Sequence, residues 1–114
     1  MKTTVTQENT AKTLGSGSLD VFATPAMVAL MEKAACASIA HLLNEGETSV
    51  GTLINVAHKA ATPLGREVTA TATITAQEGR KVTFEVTAHD GVNEIGAGTH
   101  ERFIVNEAKF LSRL

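Results

Sequence analysis

The chain of 114 residues contains no tryptophan and no tyrosine, and only four phenylalanines. Its core must therefore be aliphatic and rich in alanine, and each small side chain removes little apolar area from water. A domain built this way is expected to lean on a second chain to complete its burial. Cys36 is the only cysteine, which excludes an intramolecular disulfide and makes the cytoplasm the expected compartment. The first residues, MKTTVTQENTAKT, hold no apolar run of the kind a secretory signal needs. The most apolar stretch, VFATPAMVALMEKAACASIAHLL (21–43), is broken by Glu32 and Lys33, so a membrane span is not expected. A net charge of −2 with no basic stripe argues against nucleic acid as a partner. The glycine-rich LGSGSL (14–19) is followed by no Gly-Lys-Ser/Thr and does not fit G-x-S-x-G, so it is neither a phosphate loop nor a hydrolase elbow. The four histidines lack metal-ligand spacing; no metal and no bound cofactor are expected.

What is present reads as one α+β domain spanning 1–114. Residues 2–7 (KTTVTQ) are a short first strand and 14–19 a loop. Thr24-Pro25 opens a helix, with Thr24 as a natural N-cap and Pro25 suited to the first helical turn. The helix runs to about Leu43, where Asn44-Glu45-Gly46 ends it. The period then changes to two. Residues 48–60 are strand-like, Thr62-Pro63-Leu64-Gly65 is a turn, and VTATATITA (68–76) alternates between threonine and apolar positions. Glu78-Gly79 and Asp90-Gly91 mark hairpin turns around an inward face of Val82, Phe84, Val86 and Ala88. A last strand covers about 93–106, and EAKFLSRL closes the chain as a short helix. The expected order is one strand, one long helix, then four strands in antiparallel meander. The helix is apolar on more than one stripe, so the sheet must wrap it or a second subunit must cover it. That points to a hot-dog fold, one long central helix wrapped by a five-stranded antiparallel sheet.

Three polar residues stand in apolar surroundings. Glu32 in the middle of the helix either reaches solvent or lines a pocket beside the helix. Thr24 is explained by capping alone, yet a hydroxyl at a helix N-terminus also lies where developing negative charge is favoured. His58, among Ile54, Val56 and Ala60, is either a satisfied core histidine or a proton-transfer group. Thr24 and Glu32 are separated by about 12 Å of helical rise and about 80° of rotation. An imidazole bonded at both nitrogens spans roughly 8 Å, so His58 could bridge them as hydroxyl, imidazole and carboxylate: nucleophile, base and orienter. His41, in the last helical turn, and His89, before a turn, carry weaker signals. Gly96-Ala97-Gly98 inside a strand suggests a bulge or the close approach of another backbone or a ligand. Arg102 is either a solvated strand charge or a phosphate contact.

VFATPAMVALME, SVGTLINVAHKAATPLG and AHDGVNEIGAGTHERF together resemble the fluoroacetyl-CoA thioesterase-like family of hot-dog proteins, from about Val21 to about Phe110. The resemblance implies a homodimer that hydrolyses acyl-CoA thioesters, with coenzyme A as part of the substrate. It implies Thr24, Glu32 and His58 as the catalytic residues, with Glu32 in a buried site. It further implies Gly51 as a backbone contact to the acyl group and Arg102 as a contact on the CoA side. The region that carries bulky pocket-closing residues in the specialised fluoroacetyl enzyme reads GSGSLD here, which implies a different or broader short-acyl preference. Two other readings stay open on the sequence. Glu32 or His58 could activate water without a covalent step, and the same fold could serve a non-catalytic acyl-CoA or small-ligand binding protein. A purely structural interaction domain would leave Glu32 unexplained.

Overall fold

Alanine, methionine and leucine are strong helix formers, and between Thr24 and Ile39 they are interrupted by no glycine. That segment forms the long helix of the computed structural model, which describes residues 1–114. The elements in chain order are β1 (Lys2–Thr4), α1 (Ala11–Leu14), α2 (Thr24–Ile39), β2 (Glu47–His58), β3 (Glu67–Glu78), β4 (Lys81–His89), β5 (Glu94–Asn106) and α3 (Glu107–Ser112). A 3-10 turn at Ala40–Leu42 extends α2 to within a residue of the expected end. Met27, Leu30, Met31, Ala34, Ala35 and Ile39 recur at helical spacing and are all buried. They pack on Val68 and Ala70 of β3, the inward row Val82, Phe84, Val86 and Ala88 of β4, and Ile95 and Ile104 of β5. One helix held by a five-stranded antiparallel sheet is the expected hot-dog architecture. No helix is long and apolar enough to cross a membrane.

The four later strands do not form a simple meander. The sheet order is β1-β3-β4-β5-β2, so β3, β4 and β5 are consecutive hairpin partners while β2 lies beyond β5. The turn residues Thr62 to Gly65 sit inside a connection covering 59–66, long enough to carry the chain across the sheet where a tight hairpin would hold it beside β2. Glycines select the β2 partner. A Cβ at Gly98 would overlap the Asn55 carbonyl, and one at Gly96 would meet the Met27 sulfur and the Ala57 carbonyl. The backbone approach expected from the glycines of β5 is therefore that of β2, its neighbour.

Two smaller departures concern the N-terminal region. β1 stops at Thr4, three rungs along β3, where Val5 turns inward and is buried. A one-turn helix, α1, forms where a loop is expected: the Thr10 side chain caps it by accepting from the Thr13 N–H, and Gly15 ends it at φ 73°.

The Asp90-Gly91 turn is held from inside. The Asp90 carboxylate accepts from the Val92 and Asn93 backbone N–H groups, from the Thr62 hydroxyl and from Arg66. Burial alone would raise its pKa, but those donors outweigh it and hold the group down at about 2, against an ordinary 3.8. The folded chain thus keeps the carboxylate ionised where the unfolded chain has protonated it. The stabilisation is complete above pH 3.8 and is lost as the pH falls through about 2. Asp90→Asn should lower the melting temperature at pH 7 and flatten its fall between pH 4 and pH 2. Thermal melts across that range check this, and an unchanged acid slope would contradict it.

Candidate active site

α2 begins one residue earlier than a Thr24 cap requires. Ala23 is the N-cap, with extended backbone and no side-chain cap bond, and Thr24 is the first helical residue with Pro25 behind it. The capping role expected for Thr24 is therefore not filled. Its hydroxyl turns instead to the end of β2, where Thr24 Oγ1 lies 2.6 Å from His58 Nδ1. Burial pushes the His58 imidazole below its ordinary 6.5, with a weaker influence of the Ala60 backbone in the opposite direction. The ring is consequently neutral near pH 7, able to accept the hydroxyl proton at Nδ1. Its other nitrogen, Nε2, is buried with no hydrogen-bond partner. The pair lines a cleft of about 270 Å³ whose walls include Ala11, Ser16, Phe22 and Ala60.

Glu32 lies elsewhere. Its carboxylate meets Arg102 at 3.3 Å, and its side chain keeps 40% of its exposure, so it borders a cleft and is not a buried group. Arg102 is the buried member, 6% exposed. Its Nε donates to Ser49 Oγ, its Nη2 to the Ser49 carbonyl, and its Nη1 to Glu32 and His100 Nε2. The expected alternatives for Arg102, a solvated charge or a phosphate contact, both need an exposed guanidinium; here the fork is spent inside the chain. His100 is 1% exposed and stacks on Phe84. Since Nε2 receives the Arg102 donor, Nδ1 carries the proton and donates to the Leu53 carbonyl at 2.7 Å. Gly51 closes this cluster: a Cβ there would stand 2.8 Å from the Glu32 carboxylate, 3.2 Å from Arg102 and 3.4 Å from His100. Glu32, Gly51, Leu53 and His100 border a second cleft, of about 220 Å³.

One chain therefore carries two separate polar clusters on the helix-facing side of β2. The bridge from Thr24 through His58 to Glu32 does not form within it. Gly51 pairs with Arg102 and His58 with Gly96, six positions apart on β5, a separation of about 20 Å along the strand. A bulge at Thr52 matters here. Gly51 and His58 are seven positions apart, which strict alternation would set on opposite faces; the extra residue returns them to the same face. His100 and Ser49 are the site neighbours that the sequence reading does not single out. His100, Arg102 and Ile104 do fall on one face of β5, a signal obscured because two charged or polar residues in a strand read equally well as a solvent face. His41 and His89 are exposed and lie apart from both clusters.

Removing the guanidinium should leave Ser49, His100 and Glu32 all without their shared donor. Arg102→Met is expected to cost about 2 kcal/mol of stability, the half-exposed Glu32 tempering the loss. Urea denaturation checks this; a midpoint equal to wild type would mean that the cluster does not hold the β2–β5 ladder.

Known proteins resemble this chain in sequence and fold. A family model described as FlK, fluoroacetyl-CoA-specific thioesterase, matches residues 5–108. A fluoroacetyl-CoA thioesterase of Streptantibioticus cattleyicolor is 50% identical over 95 residues, covering 83% of this chain and 68% of that protein. Among solved structures, a phenylalanine-to-alanine mutant of the fluoroacetyl-CoA-specific thioesterase FlK in complex with fluoroacetate and CoA superimposes with a TM-score of 0.93. It is 43% identical, with 99% of this chain and 93% of that chain covered. A thioesterase superfamily member of Thermus thermophilus, 32% identical, superimposes with a TM-score of 0.91 over 99% of this chain and 84% of that chain. The chain belongs to the family of the fluoroacetyl-CoA-specific thioesterase.

Proposed function

We propose that this hot-dog thioesterase hydrolyses a small acyl-CoA thioester at a site shared between two copies of the chain, with Thr24 as nucleophile and His58 as its base. The 2.6 Å contact between Thr24 Oγ1 and a neutral imidazole carries the reading. Thr24 Oγ attacks the thioester carbonyl while its proton passes to His58 Nδ1. The C–S bond then breaks, the thiol of CoA leaves with that proton, and the acyl group stays on Thr24 as an ester. Water attacks the ester with His58 again as base, releasing the acid and restoring the hydroxyl. Gly51, which has no side chain on the acyl side, lets the substrate carbonyl approach the backbone, where N–H groups favour the oxyanion. Ala11, Ser16, Ala60 and Ala61 line the Thr24 cleft with small side chains beside Phe22, which suits a short acyl group.

The second copy supplies what His58 lacks. β2 is an edge strand twelve residues long, with Leu53 and Ile54 44% and 40% exposed. Antiparallel pairing of β2 with its own copy about a two-fold axis between Ile54 and Asn55 sets His58 opposite the partner subunit's Gly51. The partner subunit's Glu32 would then offer its carboxylate to the orphaned His58 Nε2. A buried donor with no acceptor costs about 1–3 kcal/mol, so an arrangement that supplies the acceptor is favoured. In this reading Arg102 is a positioning residue that holds Glu32 at the shared boundary.

A panel of small acyl-CoAs with thiol-release detection tests the activity, and Thr24 variants test the mechanism. Because Thr24 caps nothing, Thr24→Ala should cost no more than its hydrogen bond to His58, about 1 kcal/mol of stability, while kcat falls at least about a hundredfold. Thr24→Ser should retain substantial turnover. Rapid quenching should trap an acyl group on the peptide containing Thr24. Near wild-type kcat in Thr24→Ala would mean that Thr24 is not the nucleophile.

A further inference from the structure

With Arg102 turned inward, the phosphates of a CoA substrate need another cation. The chain has ten lysines and arginines. Lys2, Lys59, Arg66, Arg80, Lys81 and Arg102 are each within ion-pair distance of a carboxylate. Lys12, Lys33, Lys109 and Arg113 are not. Of these four, Lys109 and Arg113 border one common cavity, of about 280 Å³, and Arg80 borders it too. Lys109 and Arg113 are four residues apart in and just after α3, so they project from one side of it. Arg80 reaches in from the β3–β4 turn, fixed there by the Ile104 carbonyl and by Glu47. No carboxylate lines the cavity, and Phe110, Ile104 and Val105 give it an apolar wall. In a chain whose net charge is −2, this is a local concentration of positive charge beside an apolar surface.

Its position relative to the site is set by β2. Glu47, which holds Arg80, precedes Gly51 by four residues on the same strand, about 13 Å of extended backbone. That distance is within reach of an extended pantetheine arm whose thioester lies at Gly51.

We infer that the groove between α3 and the β3–β4 turn binds the phosphorylated nucleotide end of the CoA substrate, with Lys109 and Arg113 as its unpaired cations and Arg80 as the anchored one. The inference rests on the thioesterase reading for its choice of ligand. Guanidinium and ammonium groups bind phosphate oxygens by charge-assisted hydrogen bonds, and Phe110 and its neighbours provide a face for a purine.

Lys109→Ala/Arg113→Ala tests it by two routes. In steady-state kinetics, KM for a short acyl-CoA should rise about tenfold with little change in kcat. The matched thioester of N-acetylcysteamine, which has no nucleotide, serves as control and should show no such rise. The salt dependence of KM for the acyl-CoA should also weaken in the variant. The second route needs no turnover: adenosine 3′,5′-bisphosphate, titrated calorimetrically, should bind wild type about tenfold more tightly than the variant. If the protein hydrolyses acyl-CoA and KM is unchanged in the variant, the groove assignment is overturned while the thioesterase reading stands. If no thioester is turned over but the bisphosphate binds wild type and not the variant, the groove stands and the hydrolytic reading fails. Equal binding of the bisphosphate by both proteins overturns the groove assignment.

Discussion

The placement of β2 against β5 is the constraint on which the remaining features depend. Two glycines, Gly96 and Gly98, permit it by leaving room for the β2 backbone and the Met27 side chain. The consequence is topological: β2 passes to the outside of the sheet, and its far edge stays open for twelve residues. Along that strand lie Ser49, Gly51 and His58, which are three of the groups that build the two half-sites. A β2 held beside β3 by a tight hairpin would have buried this edge inside one chain. The open edge, with Leu53 and Ile54 on it, suits a second copy of the same strand better than it suits water.

The two half-sites differ in electrostatic character. The Glu32 cluster is internally balanced: the Arg102 guanidinium is opposed by one carboxylate and braced by Ser49 and a neutral His100 whose proton is fixed on Nδ1. Its members are braced through one group, since the buried Arg102 bonds Ser49, His100 and Glu32 at once. The Thr24 cluster is unbalanced. One nitrogen of His58 is engaged by the hydroxyl and the other is buried and unpartnered. A carboxylate anchored by Arg102 and an incomplete imidazole are complementary parts. The rungs beside them, Gly51–Arg102 and His58–Gly96, lie about 20 Å apart along the strand, and the two parts do not meet within one chain.

Much of this was legible in the sequence, for identifiable reasons. Thr24, Glu32 and His58 stood out because polar groups in apolar surroundings need an explanation, and helical and strand periods fixed the elements that carry them. The alternation of β3 and β4 and the Asp90-Gly91 turn were equally plain. Three features were not. The partner of β2 depends on where an eight-residue connection leads, which local pattern does not encode. The bulge at Thr52 has no periodic signature, although it alone returns Gly51 and His58 to one face. The inward direction of His100 and Arg102 follows from the space beside Gly51, a contact between strands distant in sequence. The tripeptide that carries them reads just as well as a solvent-facing edge. Thr24 failed as a cap because Ala23 already turns the chain into the helix, leaving the hydroxyl free for His58.

Subunit complementation tests the shared site most directly. Thr24→Ala and Glu32→Gln, each purified, should both be nearly inactive. Unfolded together and refolded as a mixture, half of the dimers combine one chain of each kind. In such a dimer one site receives both lesions and the other receives none. A site shared between subunits predicts that the mixture recovers about a quarter of wild-type turnover. A mixture as inactive as its two components, in a preparation shown to contain the mixed dimer, would contradict the shared site and mean that each site is built from a single chain.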